Sequence, residues 1–397
     1  MKHIAGLKKV NNERSIADTI QNTLLEKIVE VNNLPCDNFR RVNMVSSLSF
    51  ALSKVNKDTP FQSFQEYGHV TKGTPMKCFI TILDEFEQFS ALSSFDKSVL
   101  NAACSIILSG YPVFSSRHLY FLITGRDALA YSVSLESLET KKIRETENQV
   151  LYAITQSMRN LSNRNILLST ESFPDDSVND ASKILSIVGN NKKDQSNNGM
   201  IFKLLSFDEY FAVINNVSYS TYVFQTRPKI LENAIKRDRI CVIPEDAYRL
   251  PMSSTWQMIV IRDYLISRIT SLANEKNKQF QTSISIQSIY DTVDNNYYLS
   301  FQNRRENPTV MGLSRNELGF FDKLKNKNTR IVTQGRLRKK AYDILRTWIE
   351  IRVCWGKSSY LTDVKIRKKG NCIHSFDLVF DPDTEEMIRG KMQKTKS

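Results

Sequence analysis

Near the carboxyl end the chain reads Thr333-Gln-Gly-Arg-Leu-Arg-Lys-Lys-Ala-Tyr-Asp-Ile-Leu-Arg-Thr-Trp-Ile-Glu-Ile-Arg-Val-Cys354. Leu337, Ala341, Ile344, Leu345, Trp348 and Ile351 recur near the 3.6-residue period, so the run reads as an amphipathic helix from about Thr333 to Cys354 with one buried stripe. A hairpin follows: Ser359 to Ile366, a basic tip at Arg367-Lys-Lys-Gly-Asn371, then Ile373 to Phe380, where Phe376, Leu378 and Phe380 alternate as a half-buried strand requires. Upstream, Ser253 or Ser254 caps a long helix reaching about Asn274, and Ser285 to Val293 reads as a short helix. A polar segment containing Asn303-Arg-Arg-Glu-Asn-Pro308 separates the short helix from the basic one. Helix, short helix, long helix and two-stranded wing is the element order of a winged helix-turn-helix. The third helix of such a unit enters the major groove, and the hairpin touches the backbone beside it.

The same order is expected earlier in the chain. Phe95 to Ser109 reads as an apolar helix with Asp96 near its start, stopped by Gly110-Tyr-Pro112. Ser115 or Ser116 caps a second, short helix that Gly125 closes. A third helix runs from Lys141 to Asn160 on the stripe Ile143, Val150, Leu151, Ile154, Met158 and Leu161. Asn165–Thr170 and Met200–Leu205 read as the two strands that follow it, with a polar loop, Pro174–Asn198, between them. The fold expected is α+β, mainly helical, with two tandem winged helix-turn-helix domains. Residues 81–220 form the first and 252–380 the second, joined by an extended connector at 221–251. An N-terminal extension, 1–80, carries an amphipathic helix at Ile16–Val31 and short strands between Phe61 and Ile82, and 381–397 form a polar tail.

Charge is unevenly placed. The 397 residues carry 55 Lys or Arg against 42 Asp or Glu, a net of +13, and residues 321–370 alone hold 15 cations against 4 carboxylates. Such an excess points to an anionic partner, nucleic acid or an acidic membrane surface. Within the basic helix, Arg336, Arg338, Lys339 and Lys340 fall in what reads as its first turns. The helix dipole disfavours cations there by a few tenths of a kcal/mol each. A partner phosphate reverses that sign, because N-terminal N–H groups and cations then act on one anion. Arg336 and Arg338 are assigned to bases or phosphates, since the Arg fork reads guanine, and Lys339 and Lys340 mainly to phosphates. Lys365, Arg367, Lys368 and Lys369 of the wing are phosphate or minor-groove candidates, set against a plain solvated hairpin tip. In the first unit Lys141, Lys142 and Arg144 open the third helix, with Glu145 and Glu147 alongside. Asn148 and Gln149 could read adenine, or the helix is an ordinary one with mixed-sign surface pairs. Arg159 and Arg164 complement its C-terminal dipole.

Other classes drop out. No apolar run approaches the roughly 18 residues that span a bilayer, and the first ten residues lack the apolar core of a secretory signal. Six scattered cysteines without C-x-x-C argue for a reducing cytosol and against zinc, and the four histidines make no metal-binding or nucleophile spacing. Gly356-Lys-Ser358 resembles the end of a P-loop, but Ile351 stands where the loop needs its first Gly. Asp381-Pro-Asp383 reads as a turn, His118 as a packed or surface residue, and Phe79, Phe86 and Phe89 as core. No nucleophile has a base beside it. No catalytic residue, metal or cofactor is expected, and the chain is read as a non-enzyme.

Several runs resemble one family. Leu92-Ser-Ser-Phe-Asp-Lys-Ser-Val-Leu-Asn-Ala102, Ser115-Ser-Arg-His-Leu-Tyr-Phe-Leu-Ile-Thr-Gly125, Arg249-Leu-Pro251 with Ile261-Arg-Asp-Tyr-Leu-Ile-Ser-Arg-Ile269, Ser288-Ile-Tyr-Asp-Thr292 and Arg338-Lys-Lys-Ala-Tyr-Asp-Ile-Leu-Arg-Thr-Trp348 are similar to theta-type plasmid replication initiator (Rep) proteins of Gram-positive bacteria. The likeness covers roughly residues 80–380. It implies a non-catalytic protein that binds origin repeats in double-stranded DNA, helps open the duplex, and recruits the host replicative helicase or its loader. Dimers that repress and monomers that initiate are common among such proteins, so a homodimer is implied as well. The expectation is a cytoplasmic, sequence-specific replication initiator with no membrane role, the alternatives being a winged-helix transcription regulator and an enzyme acting on nucleic acid.

Overall fold

The computed structural model describes residues 26, 30, 34–36, 39–44, 46–55, 59–66, 76–128, 138–170, 199–214, 217–249, 256–273, 282–293, 327–355, 359–370 and 372–383. Glu26 and Glu30 aside, the expected helix Ile16–Val31 lies outside the described residues. So do the loop Pro174–Asn198, the segment Asn303–Pro308, the turn Gly356–Ser358 and residues 384–397 of the tail.

The architecture is α+β. Its amino-terminal part opens with β1 (Val42–Met44), α1 (Ser47–Lys54), β2 (Gln62–Glu66) and β3 (Met76–Leu83). Then α2 (Ser94–Leu108) starts where Ser93 and Asp96 form a reciprocal cap. Ser93 Oγ accepts from the Asp96 N–H at 2.9 Å, and the Asp96 carboxylate accepts from the Ser93 N–H at 3.1 Å. After β4 (Val113–Ser115) comes α3 (Ser116–Thr124), which ends at Gly125 with φ +75°. A Cβ on Gly125 would lie 2.6 Å from Arg249 Cα, so both the left-handed conformation and the close approach require glycine. The third helix, α4 (Leu138–Ser162), buries Val150, Leu151, Ile154, Met158 and Leu161, the stripe that the periodicity marks.

The strands after α4 correct the expected wing. β5 (Asn165–Ser169) and β6 (Gly199–Lys203) do pair, but they extend β2 and β3 into a four-stranded antiparallel sheet, order β2-β3-β5-β6. The hairpin that returns to the helices is β7 (Asp208–Ile214) with β8 (Val217–Val223), whose β8 pairs with β4 to give the order β4-β8-β7. The expected limits at 80/81 and 220/221 therefore cut through β3 and β8. Residues 221–251 are not an extended connector: α5 (Lys229–Lys236), β9 (Ile240–Val242) and α6 (Glu245–Tyr248) lie there, and β9 pairs with β1. Ile230, Leu231 and Ala234 on one face of α5 are buried, which makes that stretch part of the core.

The carboxyl-terminal part holds α7 (Trp256–Ala273), β10 (Ser283–Ser285), α8 (286–293), α9 (Lys327–Glu350), β11 (Cys354–Trp355), β12 (Ser359–Lys369) and β13 (Cys372–Phe380). Its antiparallel sheet has the order β10-β13-β12-β11. Each part thus contains helix, short strand, short helix, long helix and, later, a hairpin whose far strand adds to the short strand; β5 and β6 stand between the long helix and the hairpin in the first part, and β11 in the second.

A buried ionic cluster joins the two parts. Asp263 on α7 accepts from Arg41 at 2.5 Å, from Arg262 at 2.8 and 3.0 Å, and from the Ser98 hydroxyl of α2 at 2.5 Å. Arg41 also donates to the Leu122 carbonyl at 3.1 Å, and Arg262 to the carbonyls of Tyr248 and Ile123. The guanidiniums therefore satisfy carbonyls at the C-terminal end of α3 that the helix itself cannot. Burial opposes ionisation of Asp263, but the two guanidiniums and these hydrogen bonds outweigh it and hold its carboxyl below the usual carboxylate range.

Candidate nucleic-acid interface

The basic helix α9 is anchored by Leu337, Ala341, Ile344, Leu345 and Trp348, all buried. Trp348 stands edge-on to Trp355 with ring centroids 5.2 Å apart, and its indole N–H donates to the Ala247 carbonyl at 3.0 Å. Tyr342 packs against Phe376 of β13, which fixes the helix over the hairpin sheet. With that stripe inward, the 100° step per residue turns Arg336, Lys339 and Arg346 to solvent.

The helix starts six residues before the expected Thr333, at Lys327. Arg336, Arg338, Lys339 and Lys340 are therefore interior positions, more than two turns from the N-terminus. The helix dipole does not oppose them there, because the terminal field fades within the first turn. Their surroundings also differ. Arg336 and Lys339 are exposed. Arg338 hydrogen-bonds the Tyr290 hydroxyl of α8. Lys340 donates to Gln257 Oε1 of α7 at 3.0 Å, and burial, helped by Arg336, lowers its pKa. These last two tie the third helix to the first two. Arg346 went unmarked although it lies seven residues beyond Lys339, on the same face of the helix.

All four wing candidates, Lys365, Arg367, Lys368 and Lys369, are exposed, and every residue from Lys365 to Gly370 is exposed on both faces of the strand. The ladder nevertheless continues to Lys369, opposite Cys372, so this end of the hairpin is a paired arm standing off the core. Gly370 closes it at φ +61°. Arg367 is 66% exposed and gives Nε and Nη2 to Asp377 at 2.9 and 2.8 Å.

The first part offers less. Asn148 and Gln149 are exposed on α4, while the side chains of Lys141, Lys142 and Arg144 lie outside what the structure describes. Glu147 is buried, not a surface partner, and its charge raises the pKa of Tyr120 beyond what burial alone does. Arg159 does more than complement a dipole: its fork holds Glu209 of β7 at 2.8 and 3.1 Å. Arg164 stands 4.0 Å from Asp84. The β7–β8 hairpin contains no Lys or Arg. Phe86, read as core, is 74% exposed in the turn after β3. His118 is fully buried, with Nδ1 accepting from the Ser115 N–H at 3.1 Å, and burial lowers its pKa to about 4.

Among the described residues no cluster of three His, Cys, Asp or Glu could hold a metal ion. None of their helices is long and apolar enough to cross a membrane.

No protein-family model and no curated protein matches the chain. Among solved structures it is similar to a crystal structure of RctB domains 2–3. That likeness spans 83% of this chain and 94% of that one, at 10% identity and a TM-score of 0.33. It is also similar to a selenomethionine derivative of RctB domains 2 and 3, over 81% of this chain and 91% of that one, at 8% identity and a TM-score of 0.30.

Proposed function

We propose that this chain is a non-enzymatic, sequence-specific double-stranded-DNA-binding protein that initiates replication of a plasmid or mobile element. Its repeated helix-and-hairpin path is read as two tandem winged helix-turn-helix units that dock on successive major-groove faces of an origin repeat. The second unit supplies most of the electrostatic binding energy. The observation that carries this reading is the pairing of an outward cationic face on α9, Arg336 and Lys339, with an exposed hairpin arm bearing Lys365, Arg367, Lys368 and Lys369. Arg367 is paired with Asp377, but Arg336, Lys339, Lys365, Lys368 and Lys369 are exposed, and each one set against a phosphate releases a counterion. In this role the bound protein acts in the cytoplasm and hands the opened duplex to the host helicase or its loader.

With six to eight phosphates neutralised, the logarithm of affinity falls against the logarithm of salt with a slope of about −5 to −7. Arg336→Ala with Lys339→Ala flattens that slope by about 2 and weakens duplex binding. An unchanged slope removes α9 from the interface. A plasmid carrying the gene and its flanking DNA tests initiation itself. Autonomous replication that the double variant abolishes supports an initiator, and duplex binding without replication assigns the chain to transcription regulation.

A further inference from the structure

We infer that the cleft between α7, β10, α8 and the β12–β13 hairpin binds a phosphoryl group. The cleft holds about 590 Å3, within the range of small-ligand sites. Arg268 reaches it from α7, Arg367 from β12 and His374 from β13, and the hydroxyls of Ser283 and Ser288 line it between them.

Three features distinguish it from an ordinary solvated crevice. Among the described residues Arg268 has neither an ion-pair nor a hydrogen-bond partner, although it is half-buried. Arg367 spends Nε and Nη2 on Asp377, which leaves its Nη1 donors for the cleft. Asp291, the carboxylate among the lining residues, accepts from Gln287 Nε2 at 2.7 Å, and among the described residues it makes no ion pair with Arg268. The Arg268 guanidinium, the remaining Nη1 donors of Arg367 and the side chain of Ser283 around one space suit the oxygens of a phosphoryl group better than a cation or an apolar ligand, while Ser288 hydrogen-bonds the Tyr264 hydroxyl at its wall. That group comes either from a free phosphorylated molecule or from the backbone of bound DNA. The second source rests on the DNA-binding reading above, and the first does not.

The test uses the full chain in two arms. In the first, inorganic phosphate is titrated at ionic strength held constant with chloride, and the imidazole signals are followed by NMR. The chain has four histidines, and His374→Gln assigns the relevant one. The His374 signal is expected to shift saturably, and Arg268→Gln to weaken that response about tenfold. In the second arm, binding of a random-sequence duplex of about 30 base pairs is measured against salt for Arg268→Gln and for the exposed-site variant His374→Gln. Loss of one backbone contact lowers the slope by about 1. A phosphate response with an unchanged slope assigns the cleft to a free ligand, and a lowered slope assigns it to the backbone. Silence in both arms overturns the inference. If Arg336→Ala with Lys339→Ala still flattens the slope in that case, the DNA-binding reading stands without the cleft.

Discussion

Asp263→Asn should unfasten the two halves of the molecule. In the folded chain this one carboxylate compensates two guanidiniums, Arg41 and Arg262, whose side chains are only 5% and 4% exposed. The substitution is nearly isosteric, so no cavity opens, but it leaves two buried positive charges facing a neutral amide. Removing one partner of a buried pair costs about 3–5 kcal/mol. That is a large share of the roughly 5–15 kcal/mol by which proteins are stable. Urea denaturation at pH 7, followed by far-ultraviolet circular dichroism, measures the loss. Arg41→Met and the double variant complete a cycle, and the coupling between the two sites should reach about 1–3 kcal/mol. The pH dependence has a fixed sign. Because the folded pKa of Asp263 is depressed, its contribution is present above the unfolded value of about 4 and disappears as pH falls through the folded value below that. An Asp263→Asn loss under about 1 kcal/mol, or additive behaviour in the cycle, would refute the claim that this cluster joins the halves.

Lys368→Ala with Lys369→Ala should flatten the salt slope of duplex binding by about 2 while leaving the denaturation midpoint unchanged, since both side chains are exposed. Fluorescence anisotropy on a labelled duplex reads the first and a urea titration the second. Gly125→Ala should lose roughly 1–3 kcal/mol, from the left-handed φ of +75° and the approach to Arg249, and wild-type stability in that variant contradicts the packing described. His118, whose pKa burial lowers to about 4, stays neutral through pH 5–8 when folded. The unfolded imidazole takes a proton near 6.5, so stability falls as pH drops from about 6.5 towards 4. His118→Gln should remove that part of the acid sensitivity, and an NMR titration showing the His118 signal moving near pH 6.5 would contradict it.

Helix existence was readable because its determinants are local. Asp96 near the start of α2, and Ser115 or Ser116 with Gly125 at the ends of α3, were marked in the sequence; the structure caps α3 with Ser115 and Gly125 and pairs Asp96 with Ser93, a partner the sequence reading did not name. The α9 stripe from Leu337 to Trp348 was readable for the same reason, whereas the start of α9 was not. Asn328, Thr329 and Gly335 have poor helix propensity, and the packing of the later turns carries the helix back through them to Lys327. The strands failed differently. Asn165–Ser169 and Gly199–Lys203 look like a wing when read in order, but strand pairing is not a local property. It joins β5 to β3 and gives β8 to β4, about a hundred residues away.

The same division holds at the candidate interface. Sequence alone fixed the concentration of cations near the carboxyl end and the period that lays them along a helix, because charge and periodicity are properties of neighbouring residues. Only the tertiary structure could separate Arg336 and Lys339, facing solvent, from Arg338 and Lys340, held by Tyr290 and Gln257. It alone could bring Arg41 to Asp263 across 222 positions, or place Arg268 and His374 around one cleft. Those contacts arise where separate elements meet, and burial, not chain order, decides which polar groups must find each other there.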